Sequence, residues 1–377
     1  MNTTLKPTYQ YLIGKYWVLW YEASNSYSIV TFEFKNLLDQ YLQSDLKTTF
    51  TNQLAKADKD ADPKLILDHI ESYLKLCNQI AVKPSKDVFI IDRTKRSITK
   101  QYSIQGKTIQ IHYDCELVLK TIHPALVHYT TKKNEHPQIS FDVYIKDEQL
   151  HLYKDEQLIS RVPKRDYHLI QGKFIMQLLC FIHDKAESDW IGTFHGSTIT
   201  DGNASILFVG KSGKGKSTLC ALLANNGFKL LADDVSPMLS KTKNIYFNPS
   251  AVSIKEGAFS VLDSQIQNFK NLPKIEFNKN KGLIKYLPCA KPKNSNYPCR
   301  SIIIVNYKKN ASTLLEKISV KKVMETLIPD SWLSPNPIHA AKFLDWLQTI
   351  DLYKLTYSNT NEVIQEVSQL FQHYKTE

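Results

Sequence analysis

Two runs near the start, Tyr16-Trp-Val-Leu-Trp-Tyr and Tyr27-Ser-Ile-Val-Thr-Phe, are rich in aromatic and β-branched residues and flank a polar turn at Ala23-Ser-Asn-Ser. Both are predicted strands. From Phe32 to Leu42 the apolar positions fall at 32, 34, 37, 38, 41 and 42, the spacing of one helix face. A Lys/Asp-rich connector at 56–64 leads to a second helical pattern, Leu65 to Leu76. Residues 1–85 therefore form a small α+β unit of recognition type.

Residues 86–189 are strand-rich and end in a helix. Ser97–Ile104 and Thr108–Tyr113 flank Gln105-Gly106-Lys107, a hairpin signal. Ile139–Ile145 and Leu150–Tyr153 flank Lys146-Asp-Glu, and Leu158–Val162 follows. The helix over roughly 167–184 is apolar on most sides (Leu169, Ile170, Phe174, Ile175, Leu178, Leu179) and is expected to be buried. Residues 190–377 form the third unit. Its C-terminal part reads as helices at 319–328, 338–349 and 361–374 and a strand at Leu352–Tyr357, with Ser358-Asn359-Thr360 placed to cap the last helix. Lys/Asn-rich stretches at 241–244, 278–282 and 291–296 read as exposed loops.

The chain has 377 residues, 42% hydrophobic and 23% charged, which fits a globular protein of two or three domains and excludes a disordered tail. No apolar run approaches roughly 18 residues, and the first residues lack a signal-peptide h-region, so neither a membrane span nor secretion is expected. The six cysteines lie far apart without a CxxC pair, which argues against a zinc site or disulfide framework and fits a reducing cytosol. Net charge is +11, but only five of the 48 basic residues are arginines. Nucleic-acid readers lean on arginine, and no aromatic-basic interleaving or helicase motif occurs, so a nucleic-acid partner is not expected. Solvated lysines are the plain explanation, with an anionic ligand second.

Chemistry concentrates after Ala204. The apolar strand Ala204-Ser-Ile-Leu-Phe-Val runs into Gly210-Lys211-Ser212-Gly213-Lys214-Gly215-Lys216-Ser217-Thr218 and then into a helical Leu219-Cys-Ala-Leu-Leu-Ala. This is G-x-x-x-x-G-K-[ST] between strand and helix. Small residues let successive backbone N–H groups turn onto phosphate oxygens, and the helix adds its positive end. Lys216 can reach the β- and γ-phosphates, and the Ser217 hydroxyl can ligate Mg²⁺. Asn226-Gly227 ends the helix. Phe228-Lys-Leu-Leu-Ala-Asp233-Asp234-Val235 is then a strand with two acids at its carboxyl end, beside the phosphate loop in a parallel arrangement. Two adjacent carboxylates divide two jobs, holding the metal and accepting a hydroxyl proton. Thr193 to Ile199 reads as one strand, the hairpin partner of the phosphate-loop strand, which puts His195 near the transferred phosphate.

The acids come only sixteen residues after Ser217. RecA-like and ABC ATPases place theirs much further along, and the ABC signature is absent. Small-molecule kinases of the shikimate kinase type share the spacing but begin near the phosphate loop. His195-Gly196, the hairpin, Gly210–Thr218 and Leu230-Leu-Ala-Asp-Asp234 together resemble the catalytic core of HPr kinase/phosphorylase. That resemblance covers residues 193–238 and implies a mixed α/β core similar to phosphoenolpyruvate carboxykinase. It implies that Lys216 and Ser217 bind Mg-ATP, that Asp233 is the base, that Asp234 assists with the metal, and that His195 lines the site. The acceptor it implies is a serine on a protein, peptide or small molecule.

The family's Glu-Ile-Arg-Gly signature is absent. Its nearest counterpart is Ile254-Lys255-Glu256-Gly257, with Glu256 as a candidate third metal ligand. The arginine loop tied to phosphorolysis has no counterpart, and the layout is closer to the divergent relatives found in peptide natural-product pathways. Residues 1–85 resemble, in outline alone, the PqqD-like winged-helix fold that holds leader peptides. The expected protein is thus a cytoplasmic Mg-ATP-dependent serine kinase, its oligomeric state open. The alternatives are a nucleotide-dependent peptide-binding module without transfer activity and a small-molecule kinase.

Overall fold

The structure is a computed structural model and describes residues 5–57, 60, 62–80, 89–132, 136–276 and 282–376. The chain begins with a meander of β1 (Tyr9–Ile13), β2 (Tyr16–Tyr21) and β3 (Ser26–Val30), then α1 (Phe32–Gln43), α2 (Lys47–Ala57) and α3 (Pro63–Cys77). Both faces of this sheet are covered. Leu19, Tyr21 and Val30 pack on the three helices, while Val18 and Trp20 join a core cluster of the C-terminal part. Thr31 and Asp62 cap α1 and α3, their side chains accepting hydrogen bonds from the first-turn amides. Strand β1 and helix α2 were not anticipated. Helix α2 buries only Phe50 and Leu54, one spacing of four, among polar residues. The boundary at 85/86 lies outside the described residues, as do positions 278–281 of the second expected loop.

The second unit is a five-stranded sheet of β4 (Ile98–Ile104), β5 (Lys107–Tyr113), β6 (Ile139–Lys146), β7 (Gln149–Lys154) and β8 (Gln157–Pro163). Helix α4 (Glu116–Leu126) is the crossover between β5 and β6, the one parallel pair in this sheet. Alternating residues Ile109, Ile111 and Tyr113, and Ile139, Phe141 and Val143, face α4 and α5 (Tyr167–His183).

The remaining elements build a mixed ten-stranded sheet, a small three-stranded sheet and the helices packed on them. They are β9 (Trp190–His195), β10 (Ser197–Thr200), β11 (Ser205–Val209), α6 (Lys216–Asn225), β12 (Lys229–Ala232), β13 (Val235–Leu239) and β14 (Asn244–Tyr246). There follow β15 (Val252–Lys255), α7 (Phe259–Gln265), β16 (Ile275–Glu276), β17 (Leu283–Leu287), β18 (Asn296–Tyr307) and β19 (Leu314–Lys317). The chain closes with α8 (Val320–Leu327), β20 (Trp332–Leu333), α9 (Pro337–Thr349), β21 (Asp351–Tyr357) and α10 (Thr360–Thr376), the last started by the Asn359 side chain. The large sheet runs β12-β10-β11-β18-β14-β13-β9-β20, with β21 on β18 and β19 on β21. Strands β15, β17 and β16 form a separate small sheet. Side chains of β11 alternate between layers. Ile206 and Phe208 pack on α6, α7 and α10, while Leu207 and Val209 pack on α8, α9 and the N-terminal meander. The chain is a mixed α/β protein, and among the described residues no helix is long and apolar enough to cross a membrane.

One expectation is corrected here. Thr193 to Ile199 is not one strand, and His195 is not on the hairpin partner of β11. The chain breaks at Gly196. Strand β10 pairs with β11 and β12, whereas β9 pairs with β13 and β20. The pairs β9/β13 and β10/β12 are two halves of one antiparallel ribbon, interrupted at Gly196 on one side and Asp233-Asp234 on the other. A Cβ at residue 196 would lie 2.6 Å from the Phe208 carbonyl oxygen and 2.9 Å from Leu207 Cδ1. Only a residue without a side chain passes there, which is why the ribbon kinks at this point.

The Gly196→Ala variant is expected to lose about 1–3 kcal/mol of stability, the usual cost of overpacking. Chemical denaturation measures it, and an unchanged unfolding midpoint contradicts the tight crossing.

Candidate active site

The kinked ribbon and the glycine-rich loop meet at one edge of the sheet. The loop leaves β11 at Gly210 and enters α6 at Lys216, with Gly210, Gly213 and Gly215 all at positive φ. Positive φ at these spaced positions gives the loop the backbone freedom that a nest of inward-turned amides requires. Lys211, Ser212, Gly213 and Lys214 are exposed, Ser217 and Thr218 half-buried. Lys216 is buried, and its ammonium donates to the Gly210 carbonyl at 2.6 Å. Burial lowers the Lys216 pKa, against the Asp234 and Asp233 carboxylates, which raise it.

Asp233 is 2% exposed. Its Oδ1 accepts from Ser197 Oγ at 2.6 Å and from Ser217 Oγ at 3.0 Å, and its Oδ2 accepts from the Ser253 amide at 3.0 Å. One carboxylate thus ties β10, the start of α6 and β15 to the end of β12. Burial pushes its pKa up and the neighbouring Asp234 charge pushes further, against the three serine hydrogen bonds.

Asp234 is the opposite case. It stands at φ 65° between Asp233 and Val235, whose amide donates to the Asp233 carbonyl at 2.8 Å. That tight turn throws its side chain out of the ribbon, so the side chain is 67% exposed and lies 3.3 Å from His195 Nδ1. Aspartate tolerates the left-handed region better than most residues, and such conformations concentrate at working sites. The His195 backbone is fastened here too, its amide donating to Ser331 Oγ at 3.0 Å.

The predicted residues Gly210–Thr218, Asp233, Asp234 and His195 therefore converge. Glu256 does not join them. It is exposed in the short 3₁₀ turn after β15, and no contact links it to Ser217 or Asp234. Its neighbour Lys255 reaches the loop instead, donating to Ser212 Oγ at 2.7 Å. Among the described residues no group of three or more His, Cys, Asp or Glu side chains forms a metal cage. A hard cation that keeps most of its water needs only the Ser217–Asp233 oxygen pair, which fits Mg²⁺.

The site also contains residues the sequence did not single out. Ser197 and Ser253 position Asp233. Tyr286 is the cross-strand partner of Ser253 on β17, and burial together with the Asp234 and Asp233 charges pushes its phenol up to about 12. Asp330, exposed in the turn before β20, adds a further negative charge near Lys216. Ser197 stood beside a recognised Gly196. The others reach the site only through tertiary pairing and carry no local signal.

No protein-family profile matches the chain, and no curated protein matches it. Among solved structures it is similar to the HPr(Ser) kinase/phosphatase from Coxiella burnetii, at 13% identity and a TM-score of 0.23, covering 49% of this chain and 96% of that one. A likeness at that level bears on neither activity nor substrate.

The folded protein holds the Asp233 proton more tightly than the unfolded chain does. The associated stability is present below the ordinary Asp range and is lost as pH rises toward the raised value. In urea titrations without divalent cation, the stability of wild type relative to Asp233→Asn is expected to fall as pH rises through the acid range. A difference constant with pH contradicts the raised carboxyl.

Proposed function

We propose that the protein is an ATP- and Mg²⁺-dependent kinase with a phosphate-loop core, transferring the γ-phosphoryl group to an alcohol, foremost a serine hydroxyl on a protein, peptide or small molecule. The observation that carries this reading is the Ser217–Asp233 contact at the mouth of the glycine-rich loop, with the Asp234–His195 pair directly beyond it. A loop that only bound nucleotide needs no second, solvent-facing acid beside the first.

The geometry favours exchanging the two aspartate roles from the sequence expectation. Asp233 is buried and bound to Ser217, the position of a metal-side ligand. Asp234 faces solvent, where an acceptor hydroxyl can approach. Mg²⁺, when bound, would neutralise charge on the β- and γ-phosphates. Ser217 and Asp233 would hold it, and the loop amides with Lys216 would fix the phosphates in line. The acceptor oxygen then bonds to the γ-phosphorus, the bond to the β,γ-bridging oxygen breaks, ADP leaves, and the hydroxyl proton passes to Asp234. His195, 3.3 Å away, orients that carboxylate. Residues 1–85 and 86–189 are proposed as separate domains that precede this catalytic part, residues 190–377, in the chain.

Transfer of γ-labelled phosphate from ATP to serine-bearing peptides and small alcohols tests the reading. The label is expected in an acid-stable ester. Asp234→Asn is expected to retain nucleotide affinity and lose on the order of 10²–10⁴ in transfer rate, while Lys216→Ala is expected to lose affinity itself. ATP binding without transfer to any acceptor favours a nucleotide-dependent binding module.

A further inference from the structure

The Ser217–Asp233 contact marks one end of the site, the end where the terminal phosphate and its cation belong. Asp233 follows β12, and β12 and β10 lie on one side of β11. On the other side of β11 lie β18 and then β21, both parallel to it. Their carboxyl ends therefore open at the same sheet edge as the loop. A nucleoside triphosphate whose terminal phosphate sits at Ser217 must direct its nucleoside end away from Asp233, toward the ends of β18 and β21.

The residues at those ends are Tyr307 and Tyr357. Tyr307 closes β18, and its amide donates to the Lys214 carbonyl at 3.1 Å, so its backbone is fastened to the loop. A Cβ on Gly215 would lie 3.2 Å from Tyr307 Cβ and 3.1 Å from the Tyr357 hydroxyl. Both tyrosines thus touch the loop just before Lys216, where Gly215 at φ 94° leaves room for them. The rings stand edge to face, with centroids 5.6 Å apart and planes at 73°. Tyr357 is buried, whereas Tyr307 is 45% exposed. Tyr307 is thus left partly open to solvent beside a cationic loop, while the ring it packs against is buried.

We propose that Tyr307, braced by Tyr357, is the stacking platform for the nucleobase, and that it sets a preference for purine over pyrimidine nucleoside triphosphates. The proposal rests on the loop being a phosphate cradle. A bare ring face distinguishes bases by their stacking area more than by their hydrogen-bonding edges, so adenine and guanine nucleotides are held alike and uracil and cytosine nucleotides less well.

Calorimetric affinities of the full chain for ATP, UTP and inorganic tripolyphosphate, each with Mg²⁺, test it. Tyr307→Ala is expected to weaken ATP binding on the order of 10-fold, to narrow the gap between ATP and UTP, and to leave tripolyphosphate binding unchanged. Tyr307→Phe keeps the ring and is expected to bind ATP like wild type. Parallel losses for ATP and tripolyphosphate in Tyr307→Ala, or no loss for ATP, overturn the platform. Failure of wild type to bind either ATP or tripolyphosphate overturns the phosphate cradle and the platform with it. Tripolyphosphate binding that is lost in Lys216→Ala but accompanied by an unchanged ATP affinity in Tyr307→Ala overturns the platform alone.

Discussion

A single buried carboxylate organises the working end of this protein. Asp233 binds Ser197, Ser217 and the Ser253 amide, and so joins the kinked ribbon, the loop helix and the small β15–β17 sheet at one point. Burying an acid is costly, and its raised pKa records that cost. The chain accepts it where a cation would repay it. The same turn that buries Asp233 exposes Asp234, because Asp234, at positive φ, turns its own side chain away from the ribbon. Two identical side chains in adjacent positions thereby receive opposite environments, the arrangement that the proposed division between metal holding and proton transfer calls for.

Charge is distributed across the site in the same sense. Lys211, Lys214, Lys216 and Lys255 belong to the loop or touch it, on the phosphate side. Asp234, Asp233 and Asp330 act on Lys216 from the other side, with Tyr286 near the two adjacent aspartates. The net charge of +11 is thus partly local, four of the lysines lying in the loop or against it.

Much of this was legible along the chain because its signals are local. The strand, glycine-rich loop and helix over 204–225 appear where motif and periodicity place them, and Asn226-Gly227 ends the helix. The paired helix and strand near the C-terminus, with the Asn359 cap, follow from simple patterning. What local patterning missed has a common cause. Helix α2 has too sparse an apolar stripe, and β1 is a short edge strand that acquires its burial from α9 through contacts such as Tyr11 to Asp345. The β-forming residues on either side of it, Thr193 and Phe194 before and Thr198 and Ile199 after, concealed the break at Gly196, since a close approach by the Phe208 carbonyl is invisible without the fold. His195 consequently reaches Asp234 from a different strand than expected. Glu256 was suggested by the family resemblance, as the nearest counterpart of its Glu-Ile-Arg-Gly signature, yet the turn after β15 brings Lys255 to the loop in its place.

The assignment of Asp233 to the metal side and Asp234 to the acceptor side is tested most directly by Mn²⁺ affinity in the presence of ADP, measured by electron paramagnetic resonance. Asp233→Asn is expected to weaken Mn²⁺ binding strongly and Asp234→Asn to leave it close to wild type. Strong weakening by Asp234→Asn with Asp233→Asn unaffected would contradict the account.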